Sequence, residues 1–219
     1  RHNADTPPRV LTRGHAGGEV WGIATSTTRD TYATCGDDGT VRLWERGDKS
    51  MLAVADLGGP VRAAAFNPDC SALAVGMGAP DAGGVDNDEQ SGAFRVLDGR
   101  TLEVLFEGQD ASAWVQCVRF SPDGKHLAVA SHDGVVYVYA TSDDGEYILK
   151  NQCSGHDGGV THLDFTADGV FMQTCSTTGE LKYWDVENGD ERADGASLLR
   201  DSSWASWTCP FGWPVQGVW

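Results

Sequence analysis

Apolar and polar residues alternate with a period of two in short runs along this chain, as in "TVRLW", "FRVL", "VVYVY" and "ELKYW". That spacing predicts half-buried β-strands rather than helices. Between the runs stand compact turn signals. "NPDC", "SPDG" and "TADG" are turn signals, since Pro presets one backbone dihedral and Gly accepts positive φ. Each links the first two strands of a unit.

The runs group into four similar segments. The first is "EVWGIATSTTRDTYATCGDDGTVRLWE" and the second "PVRAAAFNPDCSALAVGMG" continued, after an insertion, by "GAFRVLD". The third is "WVQCVRFSPDGKHLAVASHDGVVYVYA" and the fourth "GVTHLDFTADGVFMQTCSTTGELKYWD". Their closing residues Trp44, Leu97, Tyr139 and Trp184 are separated by 53, 42 and 45 positions. Short fourth strands fit "SMLAVAD", "LEVLFE", "GEYILKN" and "ASLLRD". Four antiparallel strands repeating at about 40 to 45 residues identify the blades of an all-β WD-repeat β-propeller. About four blades and the start of a fifth are present, so the propeller is partial and belongs to a larger protein. The predicted organisation is the last strand of a preceding blade at 1–13, blades at 14–57, 58–108, 109–153 and 154–202, and the first strands of the next blade at 203–219. The second blade carries an acidic insertion at 79–91.

A Gly-His pair at Gly14-His15 precedes the first strand. In WD-type blades a buried network joins such a histidine to a hydroxyl in the second strand, an Asp in the next turn and a Trp in the third strand. The first unit supplies all four as His15, Thr34, Asp38 and Trp44. An imidazole held between carboxylate and hydroxyl leaves no buried polar atom unpaired and locks one blade. A catalytic use of the His-Asp pair would need an activated nucleophile on a G-x-S-x-G elbow, which is absent. The fourth unit keeps a partial set, His156, Thr174 and Trp184, with Thr178 in the place of the turn aspartate. The third keeps Asp133 but has Val129 and Tyr139 for the hydroxyl and the indole, and the second keeps almost nothing. Packing must hold those blades.

Composition narrows the function. Of 219 residues, 16 are Lys or Arg and 32 Asp or Glu, a net charge of −16. That is the wrong sign for a nucleic-acid or anionic-membrane binder, so neither is expected as a partner. No apolar run approaches 18 residues and the first residues contain no signal-peptide core. The missing initiator methionine and the final "PVQGVW" suggest a segment of a longer polypeptide. The six cysteines form no C-x-x-C pair, which points to free, buried thiols and away from zinc. In the insertion, Asp81, Asp86, Asp88 and Glu89 do not meet the calcium-loop pattern, since Ser91 and Leu97 stand where Gly and Glu are required. No cofactor, metal or catalytic residue is expected. Trp204, Trp207, Trp213 and Trp219 read as core of a following blade rather than as a docking patch.

The blade sequences, and above all "LRDSSWASWTCPFGWPVQGVW" with its W-x-x-W-T-C-x-x-G-W-x-V-x-G-V-W run, resemble the second propeller of echinoderm microtubule-associated protein (EMAP)-like proteins from about Arg9 to Trp219. The resemblance implies a non-enzymatic scaffold that binds tubulin or microtubules, with other cytoskeletal or axonemal proteins and the remainder of its own propeller as further partners. It implies the cytoplasm and cytoskeleton as location, extending to the ciliary or flagellar axoneme. A generic WD-propeller adaptor, such as a substrate receptor or assembly subunit, is the alternative that the same blades would serve. Because tubulin is acidic, contacts must be local. Arg29, Arg46, Lys49, Arg62, Lys125 and Arg192, near turns at the blade rim, are the candidate partner contacts.

Overall fold

The structure, a computed structural model, describes residues 14–79, 90–142 and 144–212. Residues 1–13, most of the acidic insertion, and Trp213 and Trp219 lie outside the described residues. Fifteen strands and one short helix follow in chain order. β1 (Val20–Thr25), β2 (Thr31–Gly36), β3 (Thr40–Glu45) and β4 (Met51–Asp56) form the first antiparallel sheet. β5 (Val61–Phe66), β6 (Ala72–Met77), β7 (Ala93–Asp98) and β8 (Val104–Gln109) form the second. The third comprises β9 (Val115–Phe120), β10 (His126–Ser131), β11 (Val135–Thr141) and β12 (Tyr147–Ser154). The fourth has three strands, β13 (Val160–Phe165), β14 (Phe171–Ser176) and β15 (Leu181–Asp185), followed by α1 (Gly195–Leu198).

In every sheet the strands lie side by side in sequence order, the meander of a propeller blade. The first strands β1, β5, β9 and β13 meet their neighbours in series, so four blades radiate from one axis and the ring is not closed. The apolar residues collect at the seams. Ala33, Cys35 and Leu43 of the first blade pack with Leu73, Val75 and Leu97 of the second. Phe94 and Val96 meet Leu127, Val129 and Tyr139, and Val136 and Val138 meet Leu163, Met172 and Trp184. A strand buried on one face toward each neighbour is what period-two alternation produces.

The backbone repeats as the sequence does. A register shift falls immediately before Trp44, Leu97 and Tyr139, where the third strand pairs with the fourth. The closing residue of each of the first three units therefore sits at a bulge, which re-aims it. The turns "SPDG" and "TADG" place Gly124 and Gly169 at φ 73° and 74°. In the second blade Cys70 holds the same turn position at φ 60°, a left-handed conformation costly for a residue with a Cβ.

One expected element is different. "ASLLRD" does not supply a fourth strand to the fourth blade, because α1 and a turn occupy it. Edge pairing starts with the single bridge Trp184↔Glu191 and the bond from Arg192 N–H to Tyr183 C=O. At Gly195 the chain crosses so close to the Tyr183 side chain that a Cβ would lie 2.4 Å from its Cβ. Beyond it, Ala and Leu favour a helical turn, and Leu199 turns inward against Tyr183 and Trp204.

Gly22 marks the closest approach of β1 to its surroundings. A Cβ there would lie 2.3 Å from Cys35 Sγ and 3.3 Å from the backbone of Ala63 and Ala64 in the next blade. We expect Gly22→Val to destabilise the protein by about 1–3 kcal/mol through overpacking of this seam. A thermal melt matching the unsubstituted protein would show that the seam yields.

Candidate functional site

Among the described residues no group of His, Cys, Asp and Glu is placed to hold a metal ion. The geometry concentrates instead in polar networks that fasten individual blades, and in the surfaces those blades present.

In the first blade the loop before β1 brings His15 over the sheet. Its Nδ1–H donates to Asp38 Oδ1 at 2.8 Å, and its Nε2 lies 2.8 Å from Thr34 Oγ1, which also accepts the Trp44 Nε1–H at 2.8 Å. The pairing sets the tautomer: with Nδ1 donating, Nε2 accepts the Thr34 hydroxyl proton. Thr40 adds its hydroxyl and backbone N–H to Asp38 at 2.8 and 3.1 Å. Burial pushes the Asp38 carboxyl up, but the hydrogen bonds from His15 and Thr40 outweigh it and hold the group at about 2. The charged form is built into the fold.

The fourth blade closes the same circuit with one exchange. His156 Nε2 lies 2.7 Å from Thr174 Oγ1, which accepts the Trp184 Nε1–H at 2.7 Å. The carboxylate comes from Glu180, whose Oε2 faces His156 Nδ1 at 3.2 Å and accepts the Asp157 N–H at 2.9 Å. Thr178, in the aspartate's place, donates to Glu180 Oε2 at 3.0 Å. Asp38 and Thr40 of the first blade thus correspond to Thr178 and Glu180 of the fourth, with carboxylate and hydroxyl swapped two residues apart. The Asp157 N–H and then the hydroxyls and His156 hold Glu180 at about 2. Spacing alone does not point to Glu180; the signal is a carboxylate two positions beyond the expected one in the same β14–β15 turn, within reach of His156 through its longer side chain.

The third blade replaces the indole by Tyr139, whose hydroxyl donates to Asp110 Oδ2 at 2.6 Å. Asp133 accepts the Tyr137 hydroxyl at 3.0 Å and the Ser112 N–H at 2.8 Å. The second blade has an apolar centre, with Leu73 and Leu97 fully buried. A further carboxylate, Asp164 on β13, accepts the N–H groups of Ser206 and Trp207 at 2.9 and 2.6 Å and so moors the segment after α1 to the fourth blade. Burial raises Asp164 despite these bonds. All six cysteines are buried free thiols. Trp204 is buried, whereas Trp207 is about half exposed at φ 56°.

Residues 20–219 match the sequence profile of the echinoderm microtubule-associated protein second beta-propeller. The chain belongs to this family. It is 35% identical to human echinoderm microtubule-associated protein-like 3 over 94% of its length, and 35% identical to human echinoderm microtubule-associated protein-like 2 over 96%. Identity to human echinoderm microtubule-associated protein-like 1 is 31% over 95%. The chain spans only 22 to 30% of the length of these relatives. The family's second propeller is therefore the frame in which the rim cations are placed.

Of the six candidate contacts, Arg29, Arg46 and Lys49 gather on the first blade, in the β1–β2 and β3–β4 turns, where Arg46 N–H bonds Asp30 C=O at 2.8 Å. Lys125 occupies the β9–β10 turn, and Arg192 the outer edge of the fourth blade over the Phe171 ring. Arg62 is not at a rim turn. It is a buried member of β5, its guanidinium 4.1 Å above the Trp21 ring and 3.3 Å from Asp37. Alternation forced it to the channel side of an innermost strand, which proximity to a turn in sequence does not reveal. Three of the rim cations already face acids, Arg46–Asp30 at 3.3 Å, Lys125–Asp123 at 3.8 Å and Arg192–Asp194 at 2.9 Å.

Asp38→Ala is expected to destabilise the protein by about 1–3 kcal/mol, because it strands the His15 N–H in a buried place. The carboxyl titrates in the folded state at about 2, against an ordinary 3.8, so its contribution is complete above pH 4 and is lost as pH falls toward 2. Melting temperature followed from pH 5 to 2 should therefore fall less steeply for Asp38→Asn than for the unsubstituted protein. In the fourth blade, Glu180→Ala should lower the melting temperature more than Thr178→Val. The reverse order would return the anchor role to position 178.

Proposed function

We propose that this chain is part of a non-enzymatic microtubule-associated scaffold that binds tubulin or microtubules through its blade-rim loops. The observation that carries the reading is the match of residues 20–219 to the family's second propeller, supported by relatives whose names state microtubule association. The proposal extends to the cytoplasmic cytoskeleton and to the axoneme as places of work, and to other cytoskeletal proteins and the rest of the same propeller as neighbours. The propeller supplies a rigid frame, and its buried networks are structural, not catalytic.

Charge sets the form of the contact. A segment of net charge −16 repels an acidic partner at long range, and screening over about 8–10 Å confines attraction to the contact itself. The first blade offers the densest cluster of rim cations, Arg29, Arg46 and Lys49. Turn positions on a rigid scaffold are where propellers and other β-folds carry recognition.

The ion pairs at Arg46, Lys125 and Arg192 favour a second reading, an adaptor whose rim contacts another protein of a multiprotein complex. The two separate in one experiment. In the full-length protein, Arg29→Glu, Arg46→Glu and Lys49→Glu together should weaken microtubule co-sedimentation about five-fold, the sum of three exposed contacts at a few tenths of a kcal/mol each. Cross-linking on native microtubules should join these loops to tubulin. Cross-links that reach only a non-tubulin protein would replace the scaffold reading with the adaptor.

A further inference from the structure

The innermost strands form one wall of the propeller's central channel. Residues of β1, β5, β9 and β13 line one cavity of about 310 Å³, into which Arg62, Gln116, Arg119, Thr161, His162 and Thr208 face. No aspartate or glutamate is among the described residues of its wall. A second cavity of about 350 Å³ lies beside it along β1, β5 and β9, and Arg119 lines both.

The two arginines differ. Arg62 is neutralised by Asp37 and stacked on Trp21, and donates to Gly78 C=O at 3.3 Å. Arg119 has no carboxylate within ion-pair distance among the described residues. Its Nη1 donates only to the carbonyl of its neighbour Val118 at 3.1 Å, and its Nε is buried with no hydrogen-bond partner. Asp164, the acid near enough to feel its charge, is fully engaged by Ser206 and Trp207. Partial burial and, after it, the Arg119 charge lower the basicity of His162 in the same wall. A buried guanidinium N–H without an acceptor is costly, and native structures supply one.

We propose that the channel wall carries an oxyanion site, in which a carboxylate or phosphate group takes the open N–H groups of Arg119 beside the Gln116 amide, while the Thr161 and Thr208 hydroxyls, which donate to Cys175 and Leu163 C=O, only shape the recess. A planar guanidinium recognises such a group with two parallel bonds, which an ammonium cannot do. This one charge acts although the chain as a whole is acidic, because the distant carboxylates are screened and the near ones are occupied. The inference does not rest on microtubule association. The group could arrive as a free anion or on a Glu-rich peptide, and these are distinguished by the probe used.

The test titrates the full-length protein with inorganic phosphate and, separately, with a tetraglutamate peptide, at low ionic strength, by calorimetry and by the rise in melting temperature that a folded-state ligand produces. Saturable binding of either probe is expected, with Arg119→Gln weakening it at least about ten-fold, Arg119→Lys intermediate, and the exposed Arg100→Gln without effect. Binding of phosphate alone assigns a free anion, and binding of the peptide alone a carboxylate side chain. Should Arg119→Gln fail to fold, Arg119→Lys and Gln116→Leu replace it, and each should weaken binding several-fold. No saturable binding of either probe, or equal binding by the variants, overturns the proposal.

Discussion

A four-stranded sheet that is apolar on both faces cannot stand in water, and stacking such sheets edge-inward around an axis is the constraint on which everything else in this chain depends. Each seam carries its own core: alanines, cysteine and leucine against leucine and valine in the first, aromatic rings in the second, and Trp184 with Met172 and Phe165 in the third. The innermost strands come closest, which explains small residues at Gly22 and at Ala63, Ala64 and Ala65. Sheets packed in this way bury their hydrogen-bonding strands on both sides. Only side chains at the strand ends are left to tie loops to blades.

Those ends are where polar networks appear, and their chemistry is more conserved in logic than in residue type. The first and fourth blades both need an imidazole with each nitrogen engaged, a hydroxyl that donates to it and accepts an indole N–H, and a carboxylate. The carboxylate can come from the turn as Asp38 or from two residues later as Glu180, because the longer side chain covers the extra distance and a threonine fills the vacated place. The third blade meets the same demand with phenols and Asp110 and Asp133. The second makes no such demand, since Leu73 and Leu97 remove the polar atoms altogether. A network fully satisfied and a centre fully apolar are both stable; a half-made network is not.

Much of this was legible in the sequence. Period-two alternation located the strands, and the closing residues Trp44, Leu97 and Tyr139 mark bulges as well as repeats, so side-chain pattern and backbone irregularity carry one signal. The first network could be read residue by residue because its members sit at their usual spacings. What could not be read came from side-chain reach and from direction. Glu180 acts across two positions, Asp164 binds backbone 42 residues away, and Arg62 points inward although it lies two residues after a proline turn. The "ASLLRD" segment failed for another reason: strand pairing there competes with a helical turn of similar propensity, and the close pass of Gly195 over Tyr183 decides it.

The distribution of charge ties surface and interior together. Thirty-two acidic residues do not make a uniform negative shell, since Asp69, Asp98, Asp123 and Asp168 sit in turns, where they accept local N–H and hydroxyl groups and cap strands. Such carboxylates are structural, and the bonds that hold them also hold down their pKa values. Cations on the rim are mostly matched by acids beside them, so the outer surface offers little net attraction to an acidic partner. The channel reverses this balance, because alternation along β5 and β9 puts Arg62 and Arg119 inside a wall that contains no acid among its described residues. Arg62 is matched there by Asp37, which leaves Arg119 as the cation without a carboxylate within ion-pair distance among the described residues, a charge still open where the rim cations at Arg46, Lys125 and Arg192 are already paired.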